Sequence, residues 1–462
     1  MKSPKKLYEG NMKKNYLLYA IPLILSAILT QSYNLVNSMM IGKFIGSEAF
    51  AATAVTAQFI QAIEAVFWGY LTGIGIYVSV LFGKNEYQKM FSIIKVNFLL
   101  SSAIAILISV LCNVFYKQIF AVLNVSDEVY ANARLYFCTY ISGLVFSQLS
   151  WGFTYVSNAL GLTKIPLIIS VLSGVINIIL NYVFLVVLGK GIGYCALSTV
   201  TATLLSGIYY FFKLIRLFKS MGINLKETVF GKLEVKQSID FGIPTMFQQI
   251  AMYACSAMVS PLTNTCSTAA ISGYEIANKS KTLIAAVYQN SSKANTTLVA
   301  QAMGAGRIDK IKEGIKIGTS QSLIIFFGVM GLFIIFAKEF TGLFIDPVTD
   351  AESFRVSVNL IRYILPLILF NVFNNLFHGI FRAVGSGTIM LVSTLIYAVS
   401  LVIYSYLFFK LFAYEYRIYA IYLALGASYI TEVIFAGIIF VSGKWKTPEY
   451  RELEKQEFST LP

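Results

Sequence analysis

The chain has 462 residues, of which 57% are hydrophobic and only 13% are charged, and its formal net charge at pH 7 is +14. So few charged side chains cannot cover the surface of a soluble protein of this length. Apolar runs of the length that crosses a hydrocarbon core recur along the whole sequence. Clear examples are 98–115, 165–188, 322–337, 388–409 and 418–441. The composition therefore predicts a helical membrane protein with many spans.

The basic residues collect in alternate connections between the predicted spans, beginning with the segment before a first span at 16–40. They return in the stretch 213–236, in "GAGRIDKIKEGIK" and after residue 443, whereas a connection such as "DPVTDAESF" is acidic. This asymmetry follows the positive-inside rule and places both termini in the cytoplasm. We therefore expect a multi-pass protein of the cell (cytoplasmic) membrane, whose positive charge contacts the lipid bilayer and no nucleic acid.

The two halves of the chain resemble each other on either side of a basic linker at mid-chain. "AIPLILSAIL" corresponds to "GIPTMFQQIA", which aligns Pro22 with Pro244, and "FGKNEYQKMFSIIK" corresponds to "MGAGRIDKIKEGIK". Duplicated halves are common in transporters. We predict an all-α membrane protein of about twelve transmembrane helices in two pseudo-symmetric six-helix bundles, with lobes at 1–225 and 226–462.

Residues 272–301 are unusually polar for a span, but the repeat aligns them with the apolar stretch 51–80. On a helix, one stripe with three-and-four spacing would contain Glu275, Lys279, Thr282, Ala286, Gln289 or Asn290, Lys293 and Thr297. Charged side chains in a span avoid lipid. The stripe is interpreted as the wall of a hydrated cavity, because it continues along the whole segment. The alternative is an interfacial or structural ion pair between Glu275 and Lys279.

Polar and aromatic side chains on single faces of other predicted spans extend this cavity. Glu64 shares a face with Gln61 and Trp68, and His378 shares one with two asparagines and Arg382. A lone histidine is otherwise a satisfied core residue, and Arg382 can reach the interface by snorkelling. Aromatic faces suit organic cations. The candidate cavity residues are Tyr33, Asn34, Gln61, Trp68, Trp151, Tyr155, Gln248, Met252, Lys279, Lys293, Asn371, Asn375 and His378.

Catalytic interpretations have little support in the sequence. It contains one histidine, no nucleotide-binding glycine motif and no clustered metal ligands, and its five cysteines have no paired spacing. No cofactor is expected. Because the sequence has no nucleotide-binding motif to supply energy, any transport must use an ion gradient or the gradient of the substrate. An intramembrane enzyme using His378 is the weakest alternative.

Three segments resemble the multidrug and toxic-compound extrusion (MATE) family. They are "IPLILSAILTQSYNLVNSMMIGKFIGSEAFAATAV", "SNALGLTKIPLIISVLSGVINIILNYVF" and "YEIANKSKTL" followed by "TTLVAQAMGAGRIDK". The resemblance covers nearly the whole chain. It implies two six-helix lobes around a central cavity and export of organic compounds in exchange for H⁺ or Na⁺.

The chain departs from the pattern of the family at its carboxylates. Asn37 stands where the family often has a carboxylate, and Asn177 with Asn181 stands where many members have Asn and Asp. Glu275 occupies a position that is usually glycine, and one branch has a glutamate in span seven that "PTMFQQIAMYACS" lacks. An asparagine cannot titrate, so Glu64 or Glu275 would have to carry a proton. Otherwise the three asparagines would have to form a Na⁺ site.

We therefore expect a monomeric antiporter that exports amphipathic, cationic organic compounds by alternating access. Glu64 is the better proton carrier because no basic residue lies one turn away on its helix, whereas Lys279 follows Glu275 at i+4. The alternative for Glu64 is that it only makes a hydrogen bond in helix packing. The alternative is a flippase for lipid-linked precursors, which a strongly basic cavity with Lys279, Lys293 and Arg382 would favour.

Overall fold

The computed structural model describes residues 4–123, 125–227 and 231–459, and every regular element within these ranges is helical. The helices of the first half are α1 (Met12–Phe44), α2 (Ser47–Lys84), α3 (Tyr87–Val114), α4 (Tyr116–Val122), α5 (Asp127–Ser142), α6 (Leu144–Ala159), α7 (Lys164–Asn181) and α8 (Ile192–Ser220). Those of the second half are α9 (Lys232–Thr263), α10 (Thr268–Gly304), α11 (Ile308–Ile335), α12 (Ala337–Gly342), α13 (Ala351–Asn359), α14 (Ile368–Ala383), α15 (Gly387–Leu411), α16 (Arg417–Val441) and α17 (Pro448–Ser459).

Nine helical segments of the described ranges are long and apolar enough to cross a membrane. Two further helices, α9 and α10, are also long but are more polar. The pair α5 and α6 supplies the remaining crossing in two pieces that meet at Gly143. Each half thus contributes six spans, which confirms the predicted all-α fold of about twelve transmembrane helices.

The span that contains His378 is not one regular helix, because the regular α-helix is interrupted around Pro366. A π-helical turn at Leu360–Ile364 and a 3₁₀ turn at Leu365–Leu367 separate α13 from α14. Proline has no backbone N–H to donate, and its ring clashes with the carbonyl one turn earlier. The polar face predicted for this span therefore lies on α14 alone, where Asn371 and His378 are both buried.

The helices form two compact units, and α1 and α9 are each divided between them. The first unit holds Leu25–Met246 and the N-terminal segment up to Lys6, and the second holds Leu7–Ile24 and the chain from Phe247 onward. The beginning of α1 therefore belongs to the second unit, and the beginning of α9 belongs to the first. The lobe boundary at 225/226 stays a prediction, and residues 228–230 of the linker lie outside the described ranges.

Within the first unit, the beginning of α9 packs directly on α2. A Cβ atom at Gly73 would overlap the backbone carbonyl of Phe241, and one at Gly242 would lie 2.6 Å from the ring of Tyr70. The rings of Tyr77 and Phe241 stack with centroids 5.1 Å apart. Glycine on both helices is what permits this close backbone approach.

Within the second unit, the beginning of α1 is attached to α10 and α11 through buried tyrosines. The Tyr16 hydroxyl donates to the Ser291 carbonyl at 2.8 Å and lies 3.0 Å from Ser322 Oγ. The Tyr19 hydroxyl donates to Thr297 Oγ1 at 3.1 Å. A buried hydroxyl needs such partners, so these bonds fix the register of α1 in this unit.

Candidate functional site

The polar segment 272–301 forms part of one continuous helix, α10, as predicted. The Oγ atom of Ser267 caps the helix by accepting from the backbone N–H of Ala270 at 3.2 Å. Along the predicted stripe, Glu275, Lys279 and Thr282 are exposed, whereas Thr297 is buried. Gln289, Asn290 and Lys293 are partly buried. The stripe therefore changes from exposed to buried along the length of α10.

The alternative interpretation of the stripe, an ion pair between Glu275 and Lys279, is absent from the ion pairs of the described residues. The Lys279 ammonium instead lies 4.5 Å from the centroid of the Phe344 ring, and the Lys281 ammonium lies 5.7 Å from the centroid of the Tyr422 ring. Aromatic faces attract ammonium groups at these distances. These contacts with aromatic rings of other segments take the place of the alternative ion pair, and the interpretation of the stripe as a cavity wall stays a prediction.

Glu64 on α2 is a buried carboxyl group, with 6% of its surface exposed. The Tyr140 hydroxyl of α5 donates to its Oε1 at 2.6 Å. Tyr33 and Tyr136 also interact electrostatically with this carboxyl group. None of the ion pairs found in the described ranges includes Glu64, so its partners are phenol groups of the same unit. Such a carboxyl group can exchange a proton without breaking an ion pair.

Three of the aromatic residues predicted for the first unit lie on α2 and α6, and one of them, Trp68, is close to Glu64 in sequence. Trp68, one turn after Glu64, packs edge-to-face against Trp151 of α6, with ring centroids 5.4 Å apart. Tyr155, one turn after Trp151, is half-buried and packs against α2 at Gly75. Both tryptophans are half-buried as well. Of the other predicted residues of this unit, Asn34 and Gln61 are exposed and Tyr33 is half-buried against Gly174.

The three asparagines at the departures from the family pattern lie together in the first unit. Asn181 donates through its Nδ2 to Asn37 Oδ1 and, at 3.2 Å, to Asn177 Oδ1. Asn177 in turn donates to Thr199 Oγ1 at 3.1 Å, and the thiol of Cys195 donates to Asn37 Oδ1 at 3.3 Å. The Oδ1 atom of Asn181 is buried without a hydrogen-bond partner. The cluster thus contains one amide oxygen that is free to accept.

Polar residues of the second unit make hydrogen bonds between helices and within single helices. Asn371 donates to the Tyr288 hydroxyl of α10 at 2.8 Å, and Asn375 donates to the Asn371 carbonyl at 2.8 Å. Lys293 lies 3.5 Å from Asn290 Oδ1 on its own helix. Met252 is half-buried on α9. Asn371 is therefore held by a structural partner, whereas Asn375 and Lys293 remain partly accessible.

His378 is buried between two polar side chains, one of which the sequence analysis missed. Its Nδ1 lies 3.1 Å from Gln248 Nε2 on α9, and its Nε2 lies 3.1 Å from Glu432 Oε1 on α16. The second contact has the distance of an ion pair but not the alignment of a hydrogen bond. Glu432 is the only charged residue in the apolar run 418–441, and an ionisable residue inside a span is by itself a signal of function. The position of this single charge in an apolar run could therefore have identified Glu432 from the sequence.

The described ranges contain no group of three His, Cys, Asp or Glu side chains arranged to hold a metal ion. The oxygen-rich cluster of Asn37, Asn177, Asn181 and Thr199 is of a different kind. Amide and hydroxyl oxygens are ligands for hard cations, whereas histidine and cysteine suit transition metals.

Comparison with known proteins places the chain in one family. The family model described as MatE matches residues 22–183 and again 244–407, so the two matches begin at Pro22 and Pro244. The multidrug export protein MepA of Staphylococcus haemolyticus is 22% identical over 391 residues, which is 84% of this chain and 85% of that protein.

Solved structures with the same fold cover almost the entire chain. One is an outward-facing multidrug resistance MATE transporter of the MOP superfamily, with a TM-score of 0.88 and 17% identity over 97% of this chain and 99% of the other. A second, from Pyrococcus furiosus, is described by the words "reverse polarity of binding pocket suggests different function of a MOP superfamily transporter". Its TM-score is 0.83, with 16% identity over 99% of this chain and 98% of the other. The chain is a multi-pass membrane protein that belongs to the MATE family.

Proposed function

We propose that the chain is a secondary-active antiporter that exports amphipathic, cationic organic compounds in exchange for H⁺ or Na⁺. The observation that carries the proposal is the buried Glu64 carboxyl group, one turn from the Trp68–Trp151 aromatic pair. An aromatic face can bind an organic cation, and a nearby carboxyl group can exchange the proton that drives its release. The relative MepA is described as a multidrug export protein, which supports export as the function of this chain. The proposal includes cytoplasmic termini and a monomeric protein, and assigns no catalysis to His378.

Glu64 is the proposed proton carrier of the first unit. When ionised, its Oε1 accepts the hydrogen bond from Tyr140, and when protonated it can donate to a neighbouring oxygen. A cationic substrate at the tryptophans would favour the ionised form, so substrate binding and proton release would be linked. The exposed Glu275 would instead act on substrate binding.

The test compares ethidium efflux from cells that carry the wild type, Glu64→Gln or Tyr140→Phe. Glu64→Gln keeps the size of the side chain and an oxygen that accepts from Tyr140, but it cannot titrate. We expect it to lower gradient-driven efflux by about tenfold or more, while ethidium binding to the purified protein stays near the wild-type value. Glu275→Gln should weaken or redirect binding instead.

Tyr140→Phe is the matched control, because it keeps the Glu64 carboxyl group and removes only the donor. Efflux should continue, with its pH dependence moved toward higher pH, because the ionised carboxylate loses a stabilising hydrogen bond. If Glu64→Gln exports ethidium at the wild-type rate with the wild-type pH dependence, Glu64 is not the coupling residue.

If Glu64 is not the coupling residue, Na⁺ coupling would be assigned to the cluster of Asn37, Asn177 and Asn181. The buried and unpartnered Oδ1 atom of Asn181 supports this assignment. In the present arrangement, the Asn181 amide nitrogen points at the oxygens of Asn37 and Asn177. A half-turn of this amide would bring three amide oxygens together, and oxygen atoms are the ligands that hard cations take.

The second candidate function is the flipping of lipid-linked precursors, whose head groups are anionic. The basic residues of α10, which include Lys279, Lys281 and Lys293, favour it. The ammonium groups of Lys279 and Lys281, however, already lie against aromatic rings, which reduces their availability to an anion. Rescue of a strain that lacks its lipid-linked precursor flippase would establish this function. Failure to rescue together with ethidium efflux would support the antiporter.

A further inference from the structure

The second unit contains a buried pair of titratable residues that the proposed coupling at Glu64 does not use. His378 has 6% of its surface exposed and Glu432 has 3%, and they come from two different helices. Gln248, with 7% exposed, approaches the imidazole from a third helix. Two ionisable groups and an amide are therefore enclosed together inside a membrane protein. Residues of this kind inside spans are expensive to bury and usually serve transport.

Gln248 can serve the imidazole in either of its protonation states. When the imidazole is neutral with its proton on Nε2, the Gln248 amide nitrogen donates to Nδ1. When both ring nitrogens carry protons, a half-turn of the amide presents Oε1 to the Nδ1 proton. Glu432 faces Nε2 in both cases. The site therefore accommodates a gain or loss of one proton through the rotation of one side chain.

The groups that interact electrostatically with Glu432 are a thiol and two phenols, and the basic side chains of the neighbouring helices have contacts of their own. The thiol of Cys255 and the phenols of Tyr397 and Tyr429 interact electrostatically with Glu432, but these groups are neutral in their ordinary state near pH 7. On α14, Arg382 donates from Nε to the His378 carbonyl at 3.3 Å. On α10, Lys293 lies against Asn290. With Glu432 ionised, the pair is neutral overall when the imidazole is protonated and carries one negative charge when the imidazole is neutral.

We propose that the His378–Glu432 pair is a second proton-binding site, which releases its proton when a cationic substrate binds and takes it back after the substrate leaves. This inference rests on the proposed function, because it assumes export of an organic cation. The half-buried Asn375 lies on the same face of α14 as His378, one turn away. A cation bound near this face would offset the negative charge of the deprotonated pair. Such linkage is reciprocal and gives antiport.

The chain contains a single histidine, so the proposal can be tested on the wild-type protein. Protein labelled with ¹⁵N-histidine and purified without a histidine tag would give one imidazole signal pair in nitrogen NMR. The signal should change from imidazolium to neutral imidazole between about pH 5 and about pH 9. Ethidium should move the midpoint to lower pH, because the cation favours the deprotonated pair.

Two variants identify the partners of the imidazole. Glu432→Gln removes the negative charge beside the ring, so the neutral signal should persist to lower pH than in the wild type. Gln248→Met is the matched control, because it leaves Glu432 in place and removes only the contact at Nδ1. It should change the Nδ1 signal while the ring still titrates.

An imidazole that stays in one protonation state across this pH range would make the pair a structural contact and overturn the proposal. A titration that does not respond to an exported substrate would overturn it as well. Ethidium efflux from cells decides the proposed function separately. If the protein exports ethidium but His378 does not titrate, the second proton-binding site is overturned and the proposed export function is not.

Discussion

At the residue scale, Asn181 is the centre of a cluster that amide groups hold together. Its Nδ2 donates to Asn37 and Asn177, and its own Oδ1 has no hydrogen-bond partner. Amide groups can bind one another as donor and acceptor, whereas an ionised carboxylate at position 181 would have no hydrogen to donate to the oxygens of Asn37 and Asn177. The hydrogen bonds of the cluster therefore form without a titratable carboxyl group or a bound cation.

Asn181→Asp should make the stability of the protein depend on Na⁺. The new carboxylate would face the oxygens of Asn37 and Asn177 without a donor, and a bound cation would relieve the repulsion. We expect Tm in choline chloride to fall below that of the wild type and NaCl to restore it. At about 100-fold excess over Kd, the gain would be about 2.7 kcal/mol. Thermal unfolding in the two salts measures it.

Asn113→Asp is the control for this prediction. Asn113 lies near the end of α3 and donates to the Ser109 carbonyl of its own helix. Its substitution should give the same Tm in both salts. An Asn181→Asp protein that behaves identically in choline and Na⁺ would contradict the assignment of a cation site to the cluster.

At the element scale, the contact between α2 and the beginning of α9 depends on glycine. Gly73→Val should abolish the folded state or greatly lower Tm, because the added carbon atoms meet the backbone of Phe241 and no rotamer change can relieve the clash. Overpacking costs about 1–3 kcal/mol when side chains can adjust, and a backbone clash should exceed this range. Size-exclusion chromatography and thermal unfolding of the purified variant measure the effect.

Gly207→Val is the matched control on α8 of the same unit. A Cβ atom at Gly207 would have no heavy atom within 4 Å, so this variant should remain monodisperse with a Tm near the wild-type value. Equal behaviour of the two variants would show that α9 does not pack closely on α2.

Features that depend on local pattern were predictable from the sequence, and features that depend on pairing between distant segments were not. The alignment of 272–301 with the apolar stretch 51–80 predicted that this polar segment is a span, and the three-and-four spacing of its polar residues fits one helix, α10. The same stripe also suggested an ion pair from Glu275 to Lys279, which aromatic rings remote in sequence replace. Glu432 could have been identified as the only charged residue of the run 418–441, but its contact with His378, 54 residues earlier, forms only in the fold.

At the scale of the whole molecule, the duplication of the chain gives each unit a buried titratable site. The MatE model matches twice, beginning at Pro22 and Pro244, and each match begins on a helix that is divided between the two units. The first unit carries Glu64 with Tyr140, and the second carries His378 with Glu432. The repeated fold thus holds two sites of different chemistry, and only the first involves a carboxyl group without a basic partner.

Proton coupling at Glu64 means that a proton gradient drives export through this residue. Ethidium uptake into liposomes that contain the purified protein and are acidic inside and alkaline outside measures this coupling. We expect rapid uptake by the wild type, collapse of uptake when the gradient is dissipated, and at least about tenfold slower uptake by Glu64→Gln. Equal uptake by the wild type and Glu64→Gln under the same gradient would contradict it.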